Sequence, residues 1–516
     1  MSESYRYKNA LLFNTYLDKY SIIVSALCVL MQFIIDPSVS NIISSLIIFT
    51  SLKILLNFKN KYSLFYTKPL IYLVLLGFNI SSQTGALLAK TFYLEPLIEN
   101  LDAPIKTFGY SALFQATIYF SIHILINSPS LVKFSRFLRQ RVFKPCNVFS
   151  LVKVRQLWIM GIIGFFALIM QLKYVGTTES VEYGDVGGKF IQGFIYFVNI
   201  PFIIVIYKYT FKDYKVNKYN NYFLILYFIL LLITALSLNG RYFIFAGITN
   251  IMLLSFLYMY SGVIRVTKTV LKKAALLFTA ILIVSPIFSD LAYAMVIARL
   301  NRDVADISQM ISTTLAIYGD KAQIANMKEL EVLEAKVGGY SEAYIDNPML
   351  NRFISTKYAD NIFRINAAKV DANKDLITDF SFNKITSFFP TPIVRLFSNV
   401  DKNDVLIFSI GDLFYSIEFG PLSPSLRVGS TVAHSFQLFG ILYLIILIPV
   451  VTLLLLIVDS LELITDDLVI VATPLLCGLT VEYFMFCGDG LHDLMGLIVR
   501  YIPQAILLYF FIFKIS

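Results

Sequence analysis

The sequence has 516 residues, of which 57% are hydrophobic and only 15% are charged, with a mean hydropathy of +0.71. A soluble globular fold cannot bury that much apolar surface, so the composition excludes this class and predicts an integral membrane protein. The four cysteines are scattered along the chain and show no CxxC or other metal-binding spacing.

Twelve stretches are apolar enough to cross a bilayer as helices, which takes about twenty residues each. The first two are predicted to form a hairpin around Asp36-Pro37-Ser38. We therefore predict an all-α polytopic membrane protein with about twelve transmembrane helices. The predicted spans are Tyr20–Ile35, Asn41–Leu56, Pro69–Leu88, Thr107–Ile126, Leu157–Leu172, Phe190–Tyr207, Tyr222–Leu238, Tyr242–Tyr260, Leu271–Phe288, Ala433–Val458, Leu468–Cys487 and Met495–Phe513.

The lysines and arginines near the span ends predict the orientation of these helices. Of those residues, 22 lie in the tails and connections on one side and only 5 in the short connections on the other. Because basic residues stay in the cytoplasm, both termini are predicted to be cytoplasmic. The net charge of +9 is then an orientation signal, which argues against a nucleic-acid-binding surface.

One long polar segment, Ser289–Val432, follows the ninth span and is predicted to be external. It divides the chain into residues 1–288 with spans 1–9, the loop 289–432, and residues 433–516 with spans 10–12. A loop of this length between spans is where recognition or chemistry is expected. Its 14 basic and 17 acidic residues make it slightly acidic.

Inside the loop, apolar residues at helical spacing predict one helix over Leu291–Tyr318 and a second, charged helix over Lys328–Lys336. From Asn347 onward, short apolar runs broken by prolines predict short helices and turns rather than a sheet. We expect this part to rest on the mouth of the bundle as a lid.

Motifs for nucleotide or metal chemistry are missing from the sequence. There is no GxxxxGK[ST] and no HExxH, and the three histidines, His123, His434 and His492, lie in no metal-binding pattern. We expect no metal and no cofactor. Any external reaction must then start from a substrate that is already activated.

Several arginines are candidates for binding an anionic substrate. Arg241 follows Gly240 in a very short external turn, where it either contacts lipid headgroups or binds phosphate. In the loop, Arg352, Arg395 and Arg427 stand in apolar or proline-rich surroundings. Each either forms a structural salt bridge or binds phosphate.

Other ionisable residues are predicted near the external surface or inside a span. His434, at the start of the tenth span, either acts as a general base or is a fully hydrogen-bonded interfacial histidine. Asp489, His492 and Asp493 form a second polar cluster that either orients a sugar hydroxyl or caps a helix. Glu482 lies within the predicted eleventh span, where a buried carboxyl group is a functional candidate.

The layout and three short segments resemble the O-antigen polymerase (Wzy-type) family of bacterial oligosaccharide repeat-unit polymerases. The turn Leu238-Asn239-Gly240-Arg241 resembles the family's Gly-Arg turn. The stretch from Phe389 to Arg395, followed by Asp401-Lys402, resembles its Pro-Arg and Asp-Lys-Pro segment, although Asn403 replaces the final proline. The segment from Gly429 through His434 to Phe439-Gly440 resembles the entry to the span after the loop.

This resemblance implies a metal-independent glycosyltransferase in the bacterial inner membrane, with a periplasmic loop. Such a protein transfers a growing glycan from undecaprenyl pyrophosphate to a new lipid-linked repeat unit. Arg241, Arg395 and Arg427, with Arg352 as a weaker candidate, would then bind pyrophosphate, and His434 would accept a proton or a hydrogen bond. A separate chain-length regulator in the membrane is the implied protein partner.

Three other functions fit parts of the same sequence. An O-antigen ligase shares the donor but transfers glycan to lipid A core. A polysaccharide flippase or transporter would need no long external loop and is expected to have internal symmetry. A structural or assembly protein would use the loop to bind a partner. The sugars, their linkage and the oligomeric state are not encoded in any of these patterns.

Overall fold

A computed structural model of the chain is 79% helical, which confirms the all-α class. The only strands among the described residues are Glu462–Ile464 and Val469–Val471, which form one antiparallel hairpin. The structure describes residues 3–170, 191–211, 213–238, 241–298, 307–336, 340–345, 347–389, 394, 405–425, 427–465 and 468–515.

Eight helices in the described part of the chain are long and apolar enough to cross a membrane, so the protein is polytopic and membrane-embedded. Val154–Met170 is a shorter apolar helix, and Ala246–Tyr260 and Ser289–Ala298 are apolar parts of two longer helices given below. The predicted total of twelve spans stays a prediction. The eight are Tyr5–Ile35, Val39–Tyr62, Pro69–Phe92, Pro104–Asn127, Ile191–Thr210, Asn220–Ser237, Thr431–Ser460 and Leu491–Lys514.

The first connection has the predicted hairpin form. The first helix ends at Ile35 and the second begins at Val39. The Ser38 side chain accepts a hydrogen bond from the backbone N–H of Asn41 (3.3 Å), which caps the second helix. The third membrane helix contains a π-helical turn at Ile80–Thr84. This turn interrupts the regular i to i+4 hydrogen bonds of the helix and leaves backbone carbonyls free for other partners.

The other helices lie between these spans, in the long loop and near the C-terminus. Two of them, Arg241–Tyr260 and Lys268–Ala298, cover the predicted eighth and ninth spans. The remaining α-helices are Leu64–Thr67, Pro129–Phe137, Ile307–Gly319, Lys321–Lys336, Pro348–Arg352, Thr356–Phe363, Ala367–Ala372, Lys374–Thr386, Ile410–Phe419, Thr473–Leu476 and Leu479–Phe484.

The predicted eleventh span, Leu468–Cys487, is wrong as a continuous helix. Its beginning forms the second strand, and Thr473–Leu476 and Leu479–Phe484 are two short helices separated at Gly478. Hydropathy detects the apolar run, but it does not register that Pro474 and Gly478 interrupt helical backbone. A Cβ at Gly478 would overlap the hydroxyl of Tyr196, so the close packing at this break requires glycine.

The Asn250 side chain forms hydrogen bonds with the backbone groups that the break leaves without helical partners. Its Nδ2 donates to the carbonyl of Cys477 (2.6 Å), and its Oδ1 accepts from the N–H (2.9 Å) and Oγ1 (2.8 Å) of Thr480. Irregular backbone inside a membrane is tolerated where protein groups replace its lost hydrogen bonds. We call residues 473–487 the broken segment.

The loop helices also differ from the prediction. Of the predicted helix Leu291–Tyr318, the residues up to Ala298 continue the helix Lys268–Ala298 and those from Ile307 onward lie in the helix Ile307–Gly319, while residues 299–306 lie outside the described residues. The charged helix predicted at Lys328–Lys336 begins earlier, at Lys321. From Asn347 onward the described residues form short helices and turns, as predicted.

The apolar core of the membrane bundle continues into the long loop. Ile362, Phe363, Ile377 and Leu413 from the loop belong to the same buried cluster as the bundle residues. This part of the loop therefore packs on one end of the bundle, which we call the loop-side end. Tyr293, Met310 and Ile324 belong instead to a smaller buried cluster formed by the earlier loop helices.

At the opposite end, the termini of several helices are joined by contacts of buried or half-buried basic residues. Arg6 is 1% exposed and donates to the carbonyl of Thr465 in the turn of the strand hairpin (2.6 Å). Asp459 forms ion pairs with Lys68 and with Arg139 (3.7 Å for the latter). Arg6, Lys68 and Arg139, which were among the basic residues used to predict the membrane orientation, thus also connect helices at this end of the bundle.

Candidate functional site

The long loop is attached to the bundle through the buried carboxylate of Asp360, on the helix Thr356–Phe363. The carboxylate accepts hydrogen bonds from the backbone N–H groups of Asp102 (3.0 Å) and Ala103 (2.8 Å). These groups precede the membrane helix Pro104–Asn127, so Asp360 caps the free N–H groups at the start of a span. Lys357 lies 3.1 Å from the same carboxylate and balances its charge.

Three further hydrogen bonds attach the loop to the bundle, one of them at the π-helical turn. The N–H of Ser355 donates to the carbonyl of Ser81 (2.7 Å), one of the carbonyls in the π-helical turn of the third span. The hydroxyl of Tyr344 donates to the carbonyl of Leu97 (2.6 Å). The Lys374 ammonium group donates to the carbonyl of Leu438 (2.8 Å) at the end of a helix, where cations are favoured.

Asp489 joins the loop to the segment that precedes the last span. Its carboxylate accepts from the backbone N–H groups of Ile410 (2.8 Å) and Gly429 (2.6 Å). Because Ile410 begins the helix Ile410–Phe419, Asp489 caps that helix. Burial raises the pKa of the Asp489 carboxyl above its ordinary value, and the nearby His492 and backbone N–H groups oppose this effect.

Arg427 is bound by protein groups in this structure. Its Nη1 lies 3.1 Å from Oδ1 of Asp412, whose side chain is completely buried. The guanidinium group also stacks on the ring of Tyr415, 3.5 Å from the ring centroid. The predicted phosphate contact of Arg427 stays a prediction, and the geometry gives this residue a structural role in holding the loop.

His434 is fully buried and fully hydrogen-bonded. Its Nδ1 accepts from the backbone N–H of Leu491 (3.2 Å), so in the neutral ring the proton is on Nε2. Nε2 lies 2.7 Å from Oγ of Ser381 and donates to it, since Oγ in turn donates to the carbonyl of Ile377 (2.5 Å). Of the two possibilities predicted for His434, the geometry favours a fully hydrogen-bonded histidine. The role of general base stays a prediction.

His492 is buried beside two carboxyl groups. Its Nε2 lies 3.7 Å from Oδ2 of Asp489 and 3.5 Å from Oδ1 of Asp493, while Nδ1 has no hydrogen-bond partner. The other oxygen of Asp493 accepts from the backbone N–H of Asp489 (2.6 Å). The ring of Phe388 stacks on the imidazole at an interplanar angle of 16°.

Lys384 is a buried cation that the sequence reasoning missed. It is 5% exposed, and its ammonium group forms no ion pair or hydrogen bond with another described residue but lies 5.8 Å from the ring centroid of Phe380. Burial lowers the pKa of its ammonium group, while Asp489, Asp493 and Asp412 oppose this effect. Its sequence context, a single lysine in the run from Phe380 to Ile385, resembles the context that drew attention to Arg395.

The structure thus brings together five ionisable side chains at the loop-side end. We call them the loop-side cluster. With both imidazoles neutral, the cluster holds two carboxyl groups and one ammonium group. Its members are Lys384, His434, Asp489, His492 and Asp493.

The other predicted arginines do not join this cluster in the described structure. Arg352 is exposed at the end of the helix Pro348–Arg352. Arg241 begins the helix Arg241–Tyr260, but its side chain lies outside the description. Arg395 lies outside the described residues altogether.

Glu482, on the broken segment, is a second buried group without a partner. The residue is 1% exposed, and its Oε2 is buried and forms no hydrogen bond. No basic residue among the described ones pairs with it. A carboxyl group in such surroundings is a functional candidate.

Within the described ranges, no group of three or more His, Cys, Asp and Glu side chains has the arrangement of a metal site. Asp360, Asn250 and Lys384 are the structurally important polar residues that sequence reasoning did not single out. Comparison of the chain with family models, with curated proteins and with solved structures finds no match in any of the three.

Proposed function

We propose that the chain is a membrane-embedded glycosyltransferase that polymerises oligosaccharide repeat units carried on undecaprenyl pyrophosphate. The product is O-antigen or a related surface polysaccharide. In this proposal the protein lies in the bacterial inner membrane with both termini in the cytoplasm, and the long loop faces the periplasm. The reaction needs no metal, because the pyrophosphate of the donor is already a good leaving group.

One observation carries the proposal: the long loop is attached to the bundle over a buried cluster of ionisable groups. The Asp360 carboxylate caps a span, and Asp489 holds the loop backbone at Ile410 and Gly429. Asp489 is itself a member of the loop-side cluster, so the cluster lies where the loop meets the bundle, on the side where a lipid-linked substrate would present its sugar. Water is partly excluded there, which strengthens electrostatic interactions.

The charge of the cluster indicates that proton uptake and pyrophosphate binding take place on different residues. Two carboxyl groups against one ammonium group favour uptake of a proton from the acceptor hydroxyl over binding of a pyrophosphate. The pyrophosphate is therefore assigned to arginines outside the cluster, Arg241, Arg352 and Arg395, where bidentate contacts to phosphate oxygens are possible. Arg427 is assigned to holding the loop, because Asp412 and Tyr415 occupy its guanidinium group.

The glycans of a deletion strain test this proposal against a ligase. Loss of a polymerase leaves a single repeat unit on lipid A core, and expression of the wild-type protein restores the long ladder. Loss of a ligase leaves bare core, while long chains accumulate on the carrier lipid. The second pattern would contradict the proposal. A chain-length regulator is the expected protein partner, and its presence would set the length of the restored ladder.

The broken segment favours a transporter as the second candidate. Discontinuous helices in the membrane often form substrate or ion sites in transporters, and the unpaired Glu482 lies on this segment. A flippase would deliver repeat units to the outer face but would not join them. Its loss leaves bare core without long carrier-linked chains, so the same deletion strain distinguishes all three functions.

A further inference from the structure

The two histidines of the loop-side cluster differ in one respect. Both ring nitrogens of His434 are hydrogen-bonded, to Leu491 and Ser381. His492 has one nitrogen facing carboxyl groups, whereas its Nδ1 is buried and forms no hydrogen bond. A buried nitrogen without a partner costs free energy, so this arrangement is not explained by stability.

The surroundings of His492 fix the proton on the nitrogen that faces the carboxyl groups. Nε2 lies 3.5 Å from Oδ1 of Asp493 and 3.7 Å from Oδ2 of Asp489. A carboxylate next to one imidazole nitrogen holds the proton there and leaves the lone pair on the other nitrogen. The stacked ring of Phe388 limits rotation of the imidazole. Nδ1 is therefore available as a base.

Gly490 lies beside Nδ1 of His492 and places no side chain against it. A Cβ at this position would lie 3.0 Å from Nδ1 of His492 and 2.7 Å from Nδ1 of His434. Any larger residue would press on both imidazoles. Nδ1 is closed to solvent in this state, so an acceptor hydroxyl reaches it only when the packing beside Gly490 opens.

We propose that His492 is the catalytic base that accepts the proton of the acceptor sugar hydroxyl. This inference rests on the proposed function and names the residue that performs the proton transfer. The hydroxyl oxygen forms a bond to the anomeric carbon of the donor glycan. The bond from that carbon to the pyrophosphate oxygen breaks, and its electron pair leaves with the pyrophosphate. The hydroxyl proton moves to Nδ1 of His492 and is later released to water.

The charged groups that face His492 determine how well it holds this proton. Asp489 and Asp493 favour the imidazolium ion that forms, and Lys384 opposes it. His434, on the neighbouring helix, is neutral and hydrogen-bonded, so it does not compete for the proton. The rate is therefore expected to fall at acidic pH, where His492 is already protonated before the hydroxyl binds.

The test uses the purified full-length protein and a lipid-linked repeat unit, with kcat and KM measured across pH. For His492→Gln we expect kcat to fall by about 10²- to 10⁴-fold, which is the usual contribution of a general base. KM should change little, and the acid limb of the pH profile should disappear. His123→Gln, at the opposite end of the bundle, is the matched control and should keep the wild-type profile.

Gly490→Ala supplies a second variant that keeps the imidazole but covers Nδ1, and Gly319→Ala, which meets open space, is its control. We expect kcat to fall for Gly490→Ala alone. Wild-type kcat and pH profile in folded His492→Gln would overturn this inference only. If His492→Gln does not fold, wild-type kcat in Gly490→Ala would overturn it instead. A wild-type protein that forms no polymer would overturn the proposed function as well.

Discussion

The carboxylate of Asp360 in the long loop accepts a hydrogen bond of 2.8 Å from the backbone N–H of Ala103, at the start of a membrane helix. The two residues are 257 positions apart in the sequence. One side chain thus caps a span and fixes the loop over the bundle. Because Lys357 is buried beside it, the carboxylate also neutralises a cation that would otherwise be unfavourable there.

Asp360→Ala is expected to destabilise the protein by about 3–5 kcal/mol, because it leaves Lys357 without its closest partner and removes a helix cap. Thermal unfolding in detergent and protease cleavage within the loop measure the effect. Asp371→Ala, at an exposed position of the next loop helix, is the control and should behave like the wild type. Equal cleavage rates for both variants would show that Asp360 does not attach the loop.

Asn250→Leu is expected to destabilise the broken segment. The substitution leaves the Cys477 carbonyl and the N–H and hydroxyl of Thr480 without their partner. Each unsatisfied buried polar group costs about 1–3 kcal/mol. Hydrogen exchange of the backbone amides between residues 473 and 487 should speed up more than that of the other spans. Unchanged exchange there would contradict the role given to Asn250.

Arg427→Met is expected to lower stability by about 1–3 kcal/mol, because the buried carboxylate of Asp412 loses its ion pair with the guanidinium group but keeps its hydrogen bonds to the backbone N–H groups of Ser409 and residue 427. The variant should keep the wild-type KM for the lipid-linked substrate at temperatures where it is folded. Unfolding temperature and KM are measured on the same preparation. A large rise in KM with unchanged unfolding temperature would instead assign Arg427 to phosphate binding.

Lys384→Met is expected to raise the unfolding temperature at pH 7, by about 2 °C or more, because it removes a buried cation. The wild type should also become more stable as the pH rises towards 10.5, the ordinary pKa of lysine. In the window between the lowered pKa and that value, the unfolded chain holds the lysine proton and the folded chain does not, so alkaline pH favours folding.

Lys384→Met should lack this alkaline gain in stability. Lys369→Met, on the neighbouring loop helix, is a control because its side chain is 47% exposed. It should leave both the unfolding temperature and its pH dependence close to those of the wild type. An unfolding temperature for Lys384→Met below that of the wild type at pH 7 would contradict an unfavourable cation at this position.

Hydropathy predicted the helical class, and eight of the twelve stretches coincide with helices that are long and apolar enough, within the described residues, to span a membrane. It failed at Leu468–Cys487, because an apolar run has the same mean hydropathy whether its backbone is helical or broken. Pro474 and Gly478 were the available signal for the break. The partner of the break, Asn250, could not be predicted because it lies 230 residues from Thr480 and in another span.

The candidate site was predictable only in part. Asp489, His492 and Asp493 were recognisable as a cluster because they are close in sequence. Lys384 and His434 join them only through folding, so spacing along the chain gives no sign of the contact. Which histidine carries an unbonded nitrogen depends on the positions of single backbone N–H groups, and these follow from tertiary packing.

Chain elongation by the purified protein in detergent is the direct test of the proposed polymerase activity. The protein is given one synthetic oligosaccharide repeat unit on undecaprenyl pyrophosphate, without nucleotide and without a membrane gradient. A polymerase is expected to yield a ladder of lipid-linked products that increase by one repeat unit at a time, with release of undecaprenyl pyrophosphate. A preparation of folded protein that binds the repeat unit but yields no product longer than the starting unit would contradict this proposal.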